Sequence, residues 1–201
     1  MSLSLNVNVD KMTILVVGGG RIATRRVLKL LNAQSTLIHV VSPLVTSTLN
    51  QLIRKNKLKW SKKVFQASDI QGAQFIIAAT DNPKLHEKIK ALIPSNVLFN
   101  DVIHHDASNI HFAKEVRRGR LSIQITTNGA SPKLTQKIAK EIEEIYDHQY
   151  EGYVEFLYQC RKLIKQKPIS MDEKIQLLDM LLEEKFMNAD AQQEMLCRLR
   201  H

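Results

Sequence analysis

The stretch "ILVVGGGRIATRR", residues 14–26, sets three glycines between an apolar run and a basic, helix-compatible run. Gly18-Gly19-Gly20-Arg21-Ile22-Ala23 fits the pattern G-x-G-x-x-A, which cradles a pyrophosphate when it joins a strand to a helix. Gly18 makes the tight turn, Gly20 lets a phosphate approach the backbone, and Ala23 lets the helix pack close to the sheet. The helix start at Arg21 and Ile22 presents N–H groups and a positive dipole to the anion. Ser42, in His39-Val40-Val41-Ser42-Pro43, stands where a ribose hydroxyl would lie, and no acid stands there. The motif alone therefore does not separate NAD from NADP. In "AATDNPKLHEKI", residues 78–89, Thr80 and Asp81 follow a strand and reach the ligand crevice of a doubly wound sheet. Asp81 or Asn82 serves equally well as a helix cap before Pro83.

Those residues need a scaffold that holds strand ends side by side. Strand-like runs at 12–17, 36–41, 58–64, 75–79 and 97–99 alternate with helix-like runs at 22–31, 44–55 and 84–92. Such alternation argues for a parallel sheet covered by helices. From about residue 110 the pattern changes: "LSIQITT" alternates apolar and polar, as a half-solvated strand does. Ser131 is placed to cap a helix that Pro132 opens, with Leu134, Ile138, Ile142 and Ile145 in one apolar stripe. The remainder is helical and charged, broken at Pro168. The expected organisation is an α/β chain: a Rossmann-like parallel sheet over 1–112, an αβ dimerisation segment over 113–150, and a small helical domain over 151–201.

Composition bounds the class. The chain has 201 residues, 44% hydrophobic, with formal net charge +9 and 5% aromatics. That is enough for one good core and a smaller appendage. The charge favours acidic partners, but no basic block interleaved with aromatics points to nucleic acid. No apolar run approaches the roughly 20 residues that span a bilayer. Two cysteines make no disulfide framework, and the N-terminus lacks the pattern of a signal peptide, so a cytoplasmic protein is expected.

"VVGGGRIATRR", "AATDNPKL" and "RRGRLSIQITTNGASPKL", within residues 12–146, resemble the siroheme-synthase family of precorrin-2 dehydrogenases and their chelatase relatives. The resemblance implies a homodimer that uses NAD to oxidise precorrin-2, an acidic tetrapyrrole, to sirohydrochlorin. The alternatives are a sirohydrochlorin ferrochelatase, alone or bifunctional, and a non-catalytic NAD-sensing module. Lys114, Arg117, Arg118 and Arg120 cluster before the central strand. Arg117 and Arg120 are the candidate clamps for substrate carboxylates, because guanidinium groups bind them bidentately. The loop "TTNGAS" offers Thr127, Ser131 and backbone N–H groups to the same anion.

One departure from the family matters. Members carry an Asp in an N-x-x-D pattern after the fifth strand, and here Ile103 takes that place in Asn100-Asp101-Val102-Ile103. The candidates to move a proton are then His104 and Asp106, with Asp101 beside them. A histidine's ordinary pKa near 6.5 suits that task. His104, His105, His111 and Asp106 also make a nitrogen–oxygen set, but their spacing matches no strong metal signature, and no resident metal is expected.

Overall fold

The computed structural model describes residues 3–200, and the chain divides into two compact units, residues 1–111 and 112–201. In the first, strands β1 (Ile14–Val17), β2 (Ile38–Val41), β3 (Lys59–Ser61), β4 (Phe75–Ala78) and β5 (Leu98–Asp101) form one parallel sheet in the order β3-β2-β1-β4-β5. Helices α1 (Arg21–Asn32), α2 (Ser47–Arg54) and α3 (Pro83–Leu92) make the crossovers. The strand order reverses at β1 and β4, so the ligand crevice opens beyond their carboxyl ends.

Alternation along the strands assigns the faces. Leu15, Val17, Ile76, Ala78 and Phe99 share one core with Ile89 of α3. Helix α1 packs on β1 and buries Ala23, Val27 and Leu30. Asp101, two residues beyond Phe99 and paired in register with Ala78, shares the face that α3 covers. On α3, His86 and Ile89 are both fully buried, as spacing i, i+3 requires.

Strand β5 is an edge, and residues 104–111 close it. Asn109 Oδ1 accepts from Phe99 N–H at 2.6 Å, its Nδ2 donates to Val97 O at 2.8 Å, and Asn100 Nδ2 donates to Ile110 O at 3.0 Å. These bonds replace the missing neighbour strand and protect the edge.

The second unit opens with an antiparallel hairpin of β6 (Lys114–Arg118) and β7 (Leu121–Ile125). The basic stretch is therefore itself a strand. Helix α4 (Pro132–Ile145) packs on the hairpin, and Val116, Ile125 and Ala139 are buried between them. Helices α5 (Gln149–Gln166), α6 (Met171–Met180) and α7 (Ala189–Arg200) enclose Tyr153, Phe156, Cys160, Ile164, Leu181 and Leu199. The hairpin and these helices fall in one unit. No helix among the described residues is long and apolar enough to cross a membrane.

Candidate active site

The glycine loop is tied down from two sides. Gly18 adopts φ +118, and a Cβ there would overlap the carbonyl of Ala79 and lie 3.2 Å from Thr80 Cγ2. Only glycine adopts that backbone without strain and admits β4 so closely. A Cβ on Gly19 would overlap the carbonyl of Leu44 and reach 2.8 Å from Ser42 Oγ. Gly20 differs: its backbone is extended, and nothing lies within 4 Å of its Cβ position. That open space, before a helix with no side-chain cap and no acid in its first turn, fits a pyrophosphate of NAD. Arg21 and Ile22 open α1 exposed, and Ala23 is fully buried beneath it.

Ser42 does not face outward. Its hydroxyl donates to Leu44 O at 2.5 Å and packs under Gly19. Thr46 N–H donates to Gly19 O, and the Thr46 and Thr24 hydroxyls lie 2.7 Å apart. The segment after β2 thus braces the glycines.

Four side chains meet at the ends of β4 and β5. Asp101, on the last residue of β5, is buried with its side chain 1% exposed. Its Oδ1 accepts from His86 Nδ1 at 2.7 Å, from Ile103 N–H at 2.8 Å and from His104 N–H at 2.9 Å. Its Oδ2 lies 3.3 Å from His104 Nδ1. Burial alone pushes this carboxyl up. The hydrogen bonds from His104 N–H, His86 and Ile103 N–H outweigh it and hold the group below its ordinary value. The ionised carboxylate only accepts, so both Nδ1 atoms carry hydrogen. His104 is 43% exposed at its side chain and keeps Nε2 as a proton acceptor. On the far side, His86 Nε2 accepts from Thr80 N–H at 3.3 Å and lies 2.9 Å from Thr80 Oγ1.

Of the candidates from the sequence, the structure brings together Asp101, His104, Thr80 and the glycine loop's neighbour β4, all in the first unit. Asp106 stands apart, fully exposed, 3.8 Å from His105 Nδ1. His105 stacks on His111 with centroids 3.9 Å apart and an interplanar angle of 10°. The tetrad His104, His105, His111 and Asp106 is thus split. Donor atoms of His86, Asp101 and His104 lie within 4.8 Å of one another instead. Both nitrogens of His86 are already committed, to Thr80 and Asp101. Sequence reasoning passed over His86. Its signal was a histidine three residues before Ile89 on a helix facing a strand that ends in Asp.

In the second unit the candidate substrate residues hold partners of their own chain. Arg117 pairs with Glu115 at 2.6 Å. Arg120 donates to Glu155 at 2.7 Å and lies 3.6 Å over the Tyr158 ring. Ser131 Oγ accepts from Leu134 N–H and caps α4. Thr127 Oγ1 accepts from Ser131 N–H at 3.1 Å and closes the turn before the helix.

Residues 5–114 match the family model described as "Putative NAD(P)-binding", residues 118–145 "Sirohaem biosynthesis protein central", and residues 150–195 "SirC C-terminal domain". The precorrin-2 dehydrogenase of Priestia megaterium is 35% identical over 174 residues, covering 87% of this chain and 86% of that one. The chain belongs to the precorrin-2 dehydrogenase family. The Bacillus subtilis (strain 168) precorrin-2 dehydrogenase is 34% identical over 160 residues, covering 80% of this chain and 98% of the relative. Among solved structures, "SirC, precorrin-2 dehydrogenase" superposes with a TM-score of 0.87 at 32% identity, over 99% of each chain. The family fold is an NAD(P)-binding unit followed by the sirohaem-type segments, and the glycine loop and Asp101 cluster described above both belong to the NAD(P)-binding unit.

Proposed function

We propose that the chain oxidises precorrin-2 to sirohydrochlorin with NAD, and that His104, held by Asp101, accepts the proton. Held at the glycine loop before Arg21, NAD would supply the hydride acceptor, and the second hydrogen of the substrate would leave as a proton. The observation that carries the reading is the placement of an Asp-anchored imidazole at the end of β5, next to the strand that lines the glycine loop. Asp101 fixes the tautomer of His104, which leaves Nε2 basic and 43% of the side chain in reach of substrate. Ile103 contributes its backbone N–H to Asp101 rather than an acid of its own. Asp106, with no bond to this network, has no part in the step.

Arg117 and Arg120 serve the acidic substrate by exchanging Glu115 and Glu155 for its carboxylates, and the net charge of +9 draws it in. Thr127 and Ser131 shape the intervening loop. Two copies of the chain assemble through the hairpin and α4. The cytoplasm suits both the cofactor and the two unpaired thiols, Cys160 and Cys197.

The test mixes purified protein, precorrin-2 and NAD without metal, and follows the reduced-nicotinamide and sirohydrochlorin bands. Both rise together on this reading. His104→Ala lowers kcat by about a hundredfold, the low end for loss of a general base, whereas Asp106→Ala leaves it within a factor of about two. Equal losses in both variants would remove His104 from its role. Iron insertion into sirohydrochlorin stays at the rate without enzyme, because His86 has no free nitrogen to offer a metal.

A further inference from the structure

We propose that His86 is a positioning residue with two separable duties: its Nε2 turns the Thr80 hydroxyl into a hydrogen-bond acceptor toward the cofactor, and its Nδ1 steadies Asp101 beneath His104. The inference rests on the dehydrogenase reading and deepens it.

The hydrogen bonds around Thr80 leave one acceptor over. Thr80 N–H donates to His86 Nε2, so Nε2 carries a lone pair and no hydrogen. The Thr80 hydroxyl, 2.9 Å from the same atom, must then donate its one hydrogen there. One of its two lone pairs takes Asn82 N–H at 3.2 Å. One lone pair remains. Thr80 is half-buried at the carboxyl end of β4, with its methyl 3.2 Å from the Cβ position of Gly18. That is the crevice where the strand order reverses. A ligand there meets an oxygen that can only accept. The cofactor group it recognises is a donor on the nicotinamide riboside half: the carboxamide N–H or a ribose hydroxyl.

At its other nitrogen, His86 donates to Asp101 Oδ1 at 2.7 Å, with both side chains essentially shut off from solvent. Asp101 in turn holds His104. A single buried ring thus joins the acceptor on the cofactor side to the base on the substrate side.

Two conservative variants separate the duties. His86→Asn places an amide N–H where Nδ1 was and has nothing at Nε2. His86→Gln places a carbonyl oxygen where Nε2 was and gives up the Nδ1 donor. NADH fluorescence titration gives Kd without any turnover, and precorrin-2 oxidation gives kcat. His86→Asn and Thr80→Val each weaken NADH binding about five- to tenfold, the range for one neutral hydrogen bond. Thr80→Ser binds more tightly than Thr80→Val. His86→Gln lowers kcat about tenfold with a smaller change in Kd. Thermal melts confirm that each variant is folded. Parallel losses of Kd and kcat in both His86 variants, or a Thr80→Val Kd equal to that of the unaltered chain, overturn the proposal. With the 3-acetylpyridine analogue of reduced NAD, which lacks the carboxamide N–H, the Thr80→Val penalty vanishes if the donor is the carboxamide and persists if it is ribose. NADH binding by the unaltered chain without precorrin-2 turnover would overturn the dehydrogenase reading alone, and the Kd series would still decide the Thr80–His86 coupling.

Discussion

Asp101 holds two imidazoles and two backbone N–H groups with one carboxylate. Removing it strands the buried His86 donor and frees the loop at Ile103. Asp101→Ala is expected to cost about 3 kcal/mol in chemical denaturation, the scale for breaking a buried polar pair. The pH dependence follows from its lowered pKa. In the unfolded chain the carboxyl titrates near its ordinary 3.8, and in the folded chain below that. Between the two values the unfolded chain binds the proton first. The stabilisation is therefore complete above about pH 4 and is lost as pH falls through that window. Asp101→Asn removes the titration, so the acid side of a plot of Tm against pH becomes shallower than in the unaltered chain. Identical acid sides would mean that Asp101 is not held ionised by folding.

At the scale of elements, the glycine loop makes two opposite predictions for neighbouring residues. Gly18 needs both its positive φ and its missing Cβ, since β4 lies against it. Gly18→Ala is expected to destabilise by about 2 kcal/mol or more, within the range for a strained non-glycine backbone, and thermal melts measure it. Gly20 needs neither: its φ of −81 and ψ of −167 suit any residue, and its Cβ position is empty. Gly20→Asp supplies the side-chain cap that α1 lacks. The variant is expected to keep or raise its Tm while losing NADH binding at least tenfold, because a carboxylate occupies the place of the phosphates. A lower Tm with intact binding would show that the space before α1 is not the pyrophosphate site. The edge of β5 is the other element that matters. Asn109 satisfies backbone groups of Val97 and Phe99 that a sixth strand would otherwise take, and this holds the loop that carries His104.

At the scale of the whole molecule, the hairpin and α4 bury too little by themselves. Ile138 and Ile142 pack against Val116, Ile125 and Ala139, but Leu134 and Ile145, in the same stripe, are 48% and 65% exposed. Among the described residues, both strands of this two-stranded sheet are edge strands. A second copy covering this stripe is the simplest way to bury it, because a twofold interface presents the same patch from both sides. Light scattering at micromolar concentration is expected to give twice the chain mass of 23.0 kDa. Leu134→Glu with Ile145→Glu, both on exposed positions, is expected to give the single mass. A single mass for the unaltered chain would remove the dimer.

Local pattern determined much of this protein. Apolar runs between turn residues placed β1, β2 and β4, the glycine spacing placed the turn from β1 to α1, and the Ser131-Pro132 pair placed the start of α4. These features depend on neighbours in the chain, so a single sequence displays them. The basic run at Lys114 did not read as a strand, because β6 earns its place only by pairing with β7. The end of β5 was read two residues short, which left Asp101 in a loop with His105 and Asp106, when it sits buried on the strand. His86 became visible only once α3 lay across β5. Arg117, Arg120 and Ser42 proved to have partners within the chain, and nothing in their local spacing announces Glu115, Glu155 or Leu44 O as those partners. Sequence alone determined the sheet and the glycine turn, because backbone propensity and periodicity are local. Tertiary structure alone decided which of several acids and histidines share one carboxylate, because that depends on which strand ends and helix faces the fold brings within 3 Å.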